Sequence, residues 1–295
     1  MNSKLINWSF FILLCFIWGS SFRLMKEGDK GLIPAQVAAL RIFAAGIVFL
    51  PFAFFHIGKL PRKKMGLIIL IGLFGNLLPA FCFAIAILKI DSSLAGILNS
   101  LTPVCVAAIG IIFFRDKINI QKIIGILVGF GGLCLLTLSQ GRISFTHSAL
   151  ALLIFAATVM YGINVNLVGH YLKGLNPVHL ATVSLSFMAL PAAIVLWQQG
   201  FFQLDFSDST IQWAVINSIV LGIVASSFAT IIFYILVQRA GGLFASLVTY
   251  GVPFVALFWG ILDGETVSLI EKISLLIILV GVYLANRPDK KDTGI

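Results

Sequence analysis

The chain has 295 residues, 60% of them hydrophobic and only 11% charged, and its mean hydropathy is +1.07. Soluble domains carry about 25% charged residues, so this stock excludes a water-facing surface, and the connections between apolar runs are too short for a separate soluble domain. The formal net charge of +9 is scattered over short loops with no run beyond Arg62, Lys63 and Lys64, which excludes a nucleic-acid surface and fits loop charges that orient a membrane protein.

Ten segments supply the roughly 20 apolar residues of a spanning helix: 5–25, 34–56, 65–88, 93–114, 119–138, 148–169, 178–198, 211–233, 242–262 and 269–286. Helices are economical here because backbone polar groups in lipid must be satisfied internally. The first segment follows Lys4 and ends in small residues, as a signal peptide would, but its length predicts an uncleaved span; it carries Trp18 and Ser21. The second opens at Pro34 and holds a single charge, Arg41, about 10 Å below its end at 1.5 Å per residue. The third contains Asn76 and Phe83, and the fourth Asn99 and Thr102 ahead of Pro103. Proline removes a backbone donor and frees a carbonyl, so Pro103 and its counterpart Pro253 are the predicted hinges. Gly125, Gly129 and Gly132 give the fifth span a small-residue face, suited to close packing within the chain or to a homodimer through peripheral helices. The sixth span has Tyr161 and Asn164, the eighth Ser226, and the ninth Tyr250. These polar and aromatic residues, together with Arg41, are the candidate substrate-binding set. Cys15, Cys82, Cys105 and Cys134 lie in apolar runs without CxxC spacing and read as small buried hydrophobes, with no metal or redox site expected.

The two halves repeat. "AGILNSLTPV" from Ala95 lies over "ASLVTYGVPF" from Ala245, and "DKINIQKI" from Asp116 matches "ETVSLIEKI" from Glu265 after one skip. Trp18 and Gly19 stand as far from Pro34 as Tyr161 and Gly162 stand from Pro177. Three matches in one order indicate two five-span repeats, over 1–140 and 141–295. An odd number of spans inverts the second copy. With the N-terminus in the cytoplasm, thirteen of the 20 basic residues fall inside, so the positive-inside rule puts both termini there. The predicted fold class is an all-α integral membrane protein, ten transmembrane helices as two inverted five-helix repeats around a central cavity. Secondary transporters are typically built this way, with substrate sites near the midplane.

"WGSSFRLMKEG" from Trp18, Pro34 followed by Arg41, "AGILNSLTPV", the acidic turn at Asp116 and the glycine-rich fifth span resemble, over nearly the whole chain, the drug/metabolite transporter superfamily, EamA type. The resemblance implies that spans one to four and six to nine line the cavity, and that small metabolites, often amino acids, are exported. The chain departs from the family pattern at Asp116, where Glu is usual. Ser184 stands where Arg41 would have a basic counterpart in the second repeat.

An arginine at mid-span costs about 2.5–3.5 kcal/mol on insertion scales. Two readings of Arg41 follow: a bidentate clamp for a substrate carboxylate, or a scaffold contact to helix-end carbonyls or to Glu27. No Asp or Glu falls within the middle of a span, and the four histidines lie near span ends, so facilitated diffusion or weak proton coupling is expected. A neutral, partly aromatic cavity suits a zwitterionic or neutral solute better than a polyanion or a strong cation. With no HExxH, GxSxG or Walker pattern, neither an enzyme nor a cofactor is expected, and no ring of like charge suggests a channel. The expected function is export of amino acids or similar solutes by alternating access across the cell inner membrane, with a small-molecule substrate and the lipid bilayer as partners. The alternatives are a multidrug, lipid or nucleoside-type exporter of the same fold, or a non-transporting membrane scaffold.

Overall fold

Prolines and short polar caps punctuate an otherwise apolar chain, and the computed structural model, which describes residues 3–87, 98–139, 148–262 and 268–286, is helical between them. The first half contributes α1 (Ser3–Gly28), α2 (Pro34–Ile57), α3 (Met65–Gly72, Leu73–Leu77 and Leu78–Ile87 in succession), α4 (Thr102–Phe114) and α5 (Ile120–Ser139). The second contributes α6 (Ser148–Asn166, extended by Leu167–Tyr171), α7 (Pro177–Gln198), α8 (Ser209–Leu221, Gly222–Phe228 and Ala229–Ala240), α9 (Gly242–Ser246 and Val248–Leu262) and α10 (Leu269–Asn286). Pro34 and Pro177 sit in first turns, where the missing donor costs nothing. Asn176 and Asp208 cap α7 and α8 by accepting from Val178 N and Thr210 N. Nine of the ten helices are long and apolar enough to cross a membrane among the described residues; α4 is described from Thr102, and residues 93–97 of its predicted span lie outside the described residues. Phe54, Phe113 and Trp197 are each more than 70% exposed, a surface that suits lipid rather than water.

Helix packing repeats with the chain. α2 lies along α7 and α5 along α10, while α1 against α9 and α8 is matched by α6 against α4 and α3. Exchanging each helix with the one five places on maps the packing onto itself, as two inverted halves require. The close approaches repeat too. A Cβ on Gly72 would stand 2.7 Å from Ser184 O, and Gly222 is pressed on Arg41 O in the same way. Both α3 and α8 contain a π-helical stretch that begins at or just after these glycines, at Leu73–Leu77 and Gly222–Phe228. Such turns interrupt the regular bonding and often mark functional positions.

On α5, Gly125 packs on Ala285, Gly129 on Gly281 and Gly132 on Ile278, all in α10. The glycine face considered for a homodimer is therefore filled within the chain. The interruptions near the two prolines are offset from them: α4 begins after a turn at Ser100 and Leu101, with Pro103 in its first turn, and α9 breaks at Leu247, ahead of Pro253. Hydroxyls bridge both breaks, Thr102 Oγ1 donating to Asn99 O at 2.7 Å and Thr249 Oγ1 to Ser246 O at 3.0 Å.

Candidate substrate cavity

Between the halves lies a cavity of about 200 Å³ whose wall draws on helices of both repeats. From α1 come Trp18 and Ser21; Trp18 is fixed by its Nε1 donating to Ala225 O at 3.0 Å, a carbonyl of the π-helical stretch of α8. From α2 comes Arg41, whose Nε donates to Ser226 Oγ at 2.8 Å. Ser226 is 1% exposed and stands behind the arginine, off the wall. Neither Nη group of Arg41 has a hydrogen-bond partner among the described residues, although the side chain lines the cavity. Glu27 pairs instead with Lys30 at 2.7 Å, which rules it out as the partner of Arg41. Tyr161 of α6 lines the same wall within electrostatic reach of Arg41.

A polar belt crosses the cavity. Asn76 Oδ1 accepts from Thr230 Oγ1 at 3.3 Å, and Tyr234 OH donates to Asn164 Oδ1 at 3.3 Å, joining α3 and α6 to α8. Gly75 makes room for this belt, because a Cβ there would stand 2.7 Å from Asn164 Nδ2. Phe83, Asn99 and Thr102 complete the wall on the side of α3 and α4. Buried amides of this kind are tolerable because each is paired or faces the cavity. Asp29, just beyond α1, lines the end of the cavity near Pro34, and burial pushes its carboxyl above the usual Asp value.

Nine of the sequence candidates thus share one wall: Trp18, Ser21, Arg41 and Asn76 with Phe83, Asn99, Thr102, Tyr161 and Asn164. Ser226 reaches it only through Arg41. Tyr250 stands apart, its hydroxyl donating to Ile126 O at 2.9 Å on α5 and its ring against Gly129. The periodicity of α9 places it on the face toward α5 rather than toward the other repeat. Sequence reasoning missed Asp29, Thr230, Phe233 and Tyr234. A Thr and a Tyr four residues apart in an apolar helix, on one face, was the available signal for α8.

Nothing in this wall pairs a nucleophile with a base, and no group of three or more His, Cys, Asp or Glu side chains is placed to hold a metal among the described residues. The arrangement offers one cation with unpartnered donors, one carboxylate at the mouth, amides and aromatic faces. It is equipped to bind a small solute and release it unchanged.

Comparison with known proteins places the chain among transporters. It is 24% identical over 95% of its length, and 99% of the relative's, to an uncharacterized transporter of Archaeoglobus fulgidus. It is 26% identical to the WAT1-related protein At3g02690, chloroplastic, of Arabidopsis thaliana, over 97% of this chain and 71% of that one. To the uncharacterized inner membrane transporter YedA of Escherichia coli it is 25% identical, over 92% and 87% of the two chains. A solved structure described as "Crystal structure of protein" has the same fold, with a TM-score of 0.73 over 96% of each chain at 16% identity. The model of the EamA-like transporter family matches twice, over residues 6–138 and 148–287. Two family units forming one ten-helix bundle around a cavity crossed by a polar belt make the chain a membrane transporter, and it belongs to the EamA-like transporter family.

Proposed function

We propose that the chain exports amino acids or closely similar zwitterionic or neutral solutes by alternating access, in the inner (plasma) membrane with both termini in the cytoplasm. The observation that carries this reading is Arg41. Its Nε is spent on Ser226, while neither Nη group has a hydrogen-bond partner among the described residues and the side chain lines the cavity. That leaves a fork of donors matched to one carboxylate. Trp18, Phe83, Tyr161 and Phe233 offer apolar faces for a side chain beyond it. A single cation gives little hold on a pyrophosphate, and Asp29 at the mouth disfavours polyanions further.

The orientation rests on the basic residues of the loops, thirteen of which fall on one side. An Escherichia coli relative named as an inner membrane transporter supports the location. In that orientation the α1–α2 connection, whose Asp29 and Pro34 line the cavity, lies on the outer side.

Counterflow in proteoliposomes with a labelled amino-acid panel tests the proposal without requiring any proton gradient. Saturable exchange of carboxylate-bearing, apolar or aromatic members is expected. Exchange of amines or esters in preference to the matching amino acids, or of no amino acid at all, overturns it.

A further inference from the structure

Away from the cavity mouth, the end of α6 is tied to the end of α4 by contacts that binding a solute does not use. The last turn of α6, Leu167–Tyr171, is π-helical, with Leu172 N bonded to Leu167 O at 3.1 Å. This wider turn carries His170 over the connection from α4 to α5. His170 Nε2 lies 2.9 Å from Asp116 Oδ1, Nδ1 lies 3.0 Å from Asn166 O, and the ring packs on Phe114 at 4.3 Å. Asp116 is itself fixed. Its N–H donates to Gly110 O at 3.0 Å, after Arg115 closes α4 with a left-handed φ of 58°. Its other oxygen, Oδ2, would stand 2.6 Å from a Cβ at Gly110. Asn166, 3% exposed, joins the two helices by donating to Val106 O at 3.0 Å and Gly162 O at 2.9 Å.

Both ring nitrogens of His170 face acceptors, one a carbonyl oxygen and the other a carboxylate oxygen. A neutral imidazole has one N–H and an ionised carboxylate has none to give. The two contacts are complete only when the pair holds one proton more than a neutral ring and an ionised acid. Both side chains are about one-third exposed, so water reaches them. Lys64, at the start of α3, donates to Tyr171 O at 2.6 Å, and Arg239 at the end of α8 donates to Asn7 Oδ1. Arg115 and Lys117 flank Asp116, Lys122 stands in the first turn of α5, Tyr171 and Lys173 follow His170, and α9 contributes the uncharged Gly242 and Leu243 to the same pocket.

The symmetry-related contact, between α1 and α9, is built differently. There Trp259 Nε1 donates to Ser20 Oγ at 2.9 Å, and the Arg23 guanidinium lies 5.1 Å from the Trp259 ring centre. Inverted repeats alternate by closing one such end while the other parts, and among the described residues a histidine takes part in the contact at the α4–α6 end and none in that at the α1–α9 end.

We propose that His170 and Asp116 form a proton-binding latch: one proton shared by the pair holds the α4–α6 end closed, and its loss frees α6 from the α4–α5 connection. Because water reaches the pair, the latch reads the pH of the water at that face. The inference rests on the alternating-access reading above but not on the cargo. A fall in pH at the α4–α6 face favours the conformation described here, and a rise favours its mate.

Hydrogen–deuterium exchange of the full chain in nanodiscs, without added solute, tests this at about pH 6 and about pH 8. After correction for intrinsic amide rates, residues 108–118 and 166–173 should open faster at the higher pH, by up to about tenfold per pH unit for one linked proton. The α1–α9 end should not follow. His170→Gln and Asp116→Asn should abolish the dependence, whereas His56→Gln, which disturbs the separate His56–His179 stack, should keep it. A corrected rate that is flat with pH in the unmodified chain overturns the latch, as does a dependence that survives in His170→Gln. Should both variants fail to fold, the unmodified chain still decides: a response confined to the α4–α6 end supports the latch, and one shared equally by both ends overturns it. Absence of counterflow would sink the transport proposal and leave this measurement readable.

Discussion

α2 and α7 are symmetry mates lying side by side, yet only α2 carries a charge to the cavity. Both helices meet a glycine of the opposite repeat through a backbone carbonyl: Arg41 O against Gly222, and Ser184 O against Gly72. Beyond the backbone they diverge. Arg41 reaches the cavity and Ser226, whereas Ser184 is fully buried and its hydroxyl turns back to Ala181 O at 3.2 Å. Duplication fixed the packing because it runs through backbone and Cα atoms, where little substitution is tolerated. The side chain past Cβ was free to change, so a symmetric scaffold supports an asymmetric site.

The largest effects should come from breaking what the two helices share. Gly222→Val and Gly72→Val each drive a side chain into a backbone oxygen, and overpacking typically costs about 1–3 kcal/mol or more when backbone must move. Both variants should lose monodisperse yield and lower the midpoint of thermal unfolding to a similar degree. A well-folded Gly72→Val beside a collapsed Gly222→Val would show that the repeats do not share this constraint.

What the helices do not share gives the next effect. Hydrogen bonds to charged groups are worth about 1.5–3 kcal/mol each, so Arg41→Gln should weaken binding of carboxylate-bearing solutes about 10- to 100-fold in counterflow. Folded yield should hold, because the substitution also removes a cation from an apolar region. Ser184→Ala should change neither. Equal loss for solutes with and without a carboxylate would return Arg41 to the scaffold.

The fold was legible because its signals are long: ten apolar runs, and repeat motifs spaced alike in both halves, survive uncertainty of several residues at any end. The site was legible where a polar or aromatic residue stood alone in such a run, as with Arg41, Asn76 and Asn164. It failed where facing mattered. Tyr250 has the right depth but lies on the side of α9 toward α5, and no spacing argument carried across a helix broken at Leu247 fixes its rotation. Tyr234 and Thr230 follow the π-helical stretch of α8, which shifts the phase of the helix and brings them round to the cavity. Local sequence does not announce that shift. Asp29 was hidden because it sits in a connection, outside the spans where a polar residue draws notice.

The Arg41–Ser226 bond sharpens the comparison at smaller scale. Ser226→Ala frees Nε and lets the guanidinium swing, while the donors that face the cavity remain. The bond orients the guanidinium without meeting the solute, so only part of the about 1.5–3 kcal/mol of a charged hydrogen bond bears on binding, and the apparent affinity for a carboxylate solute should fall by about fivefold, with maximal flux little changed. An effect as large as that of Arg41→Gln would mean that Ser226 meets the solute directly.

The smallest effect belongs to Asp29, whose matching place in the second repeat is held by the fully buried Leu172. Burial raises the Asp29 carboxyl above its ordinary value of 3.8, so the folded chain binds this proton more tightly than the unfolded chain does. The sign follows from linkage: stability falls with rising pH wherever the folded state holds more protons. The contribution is therefore fullest on the acid side and declines as pH climbs from 3.8 through the raised folded value. Because Asp29 is exposed to water at the cavity mouth, screening keeps the slope shallow. Asp29→Asn cannot ionise, and should flatten that decline in the thermal midpoint while leaving the midpoint in acid almost unchanged. A decline of equal slope in Asp29→Asn would assign it to other groups.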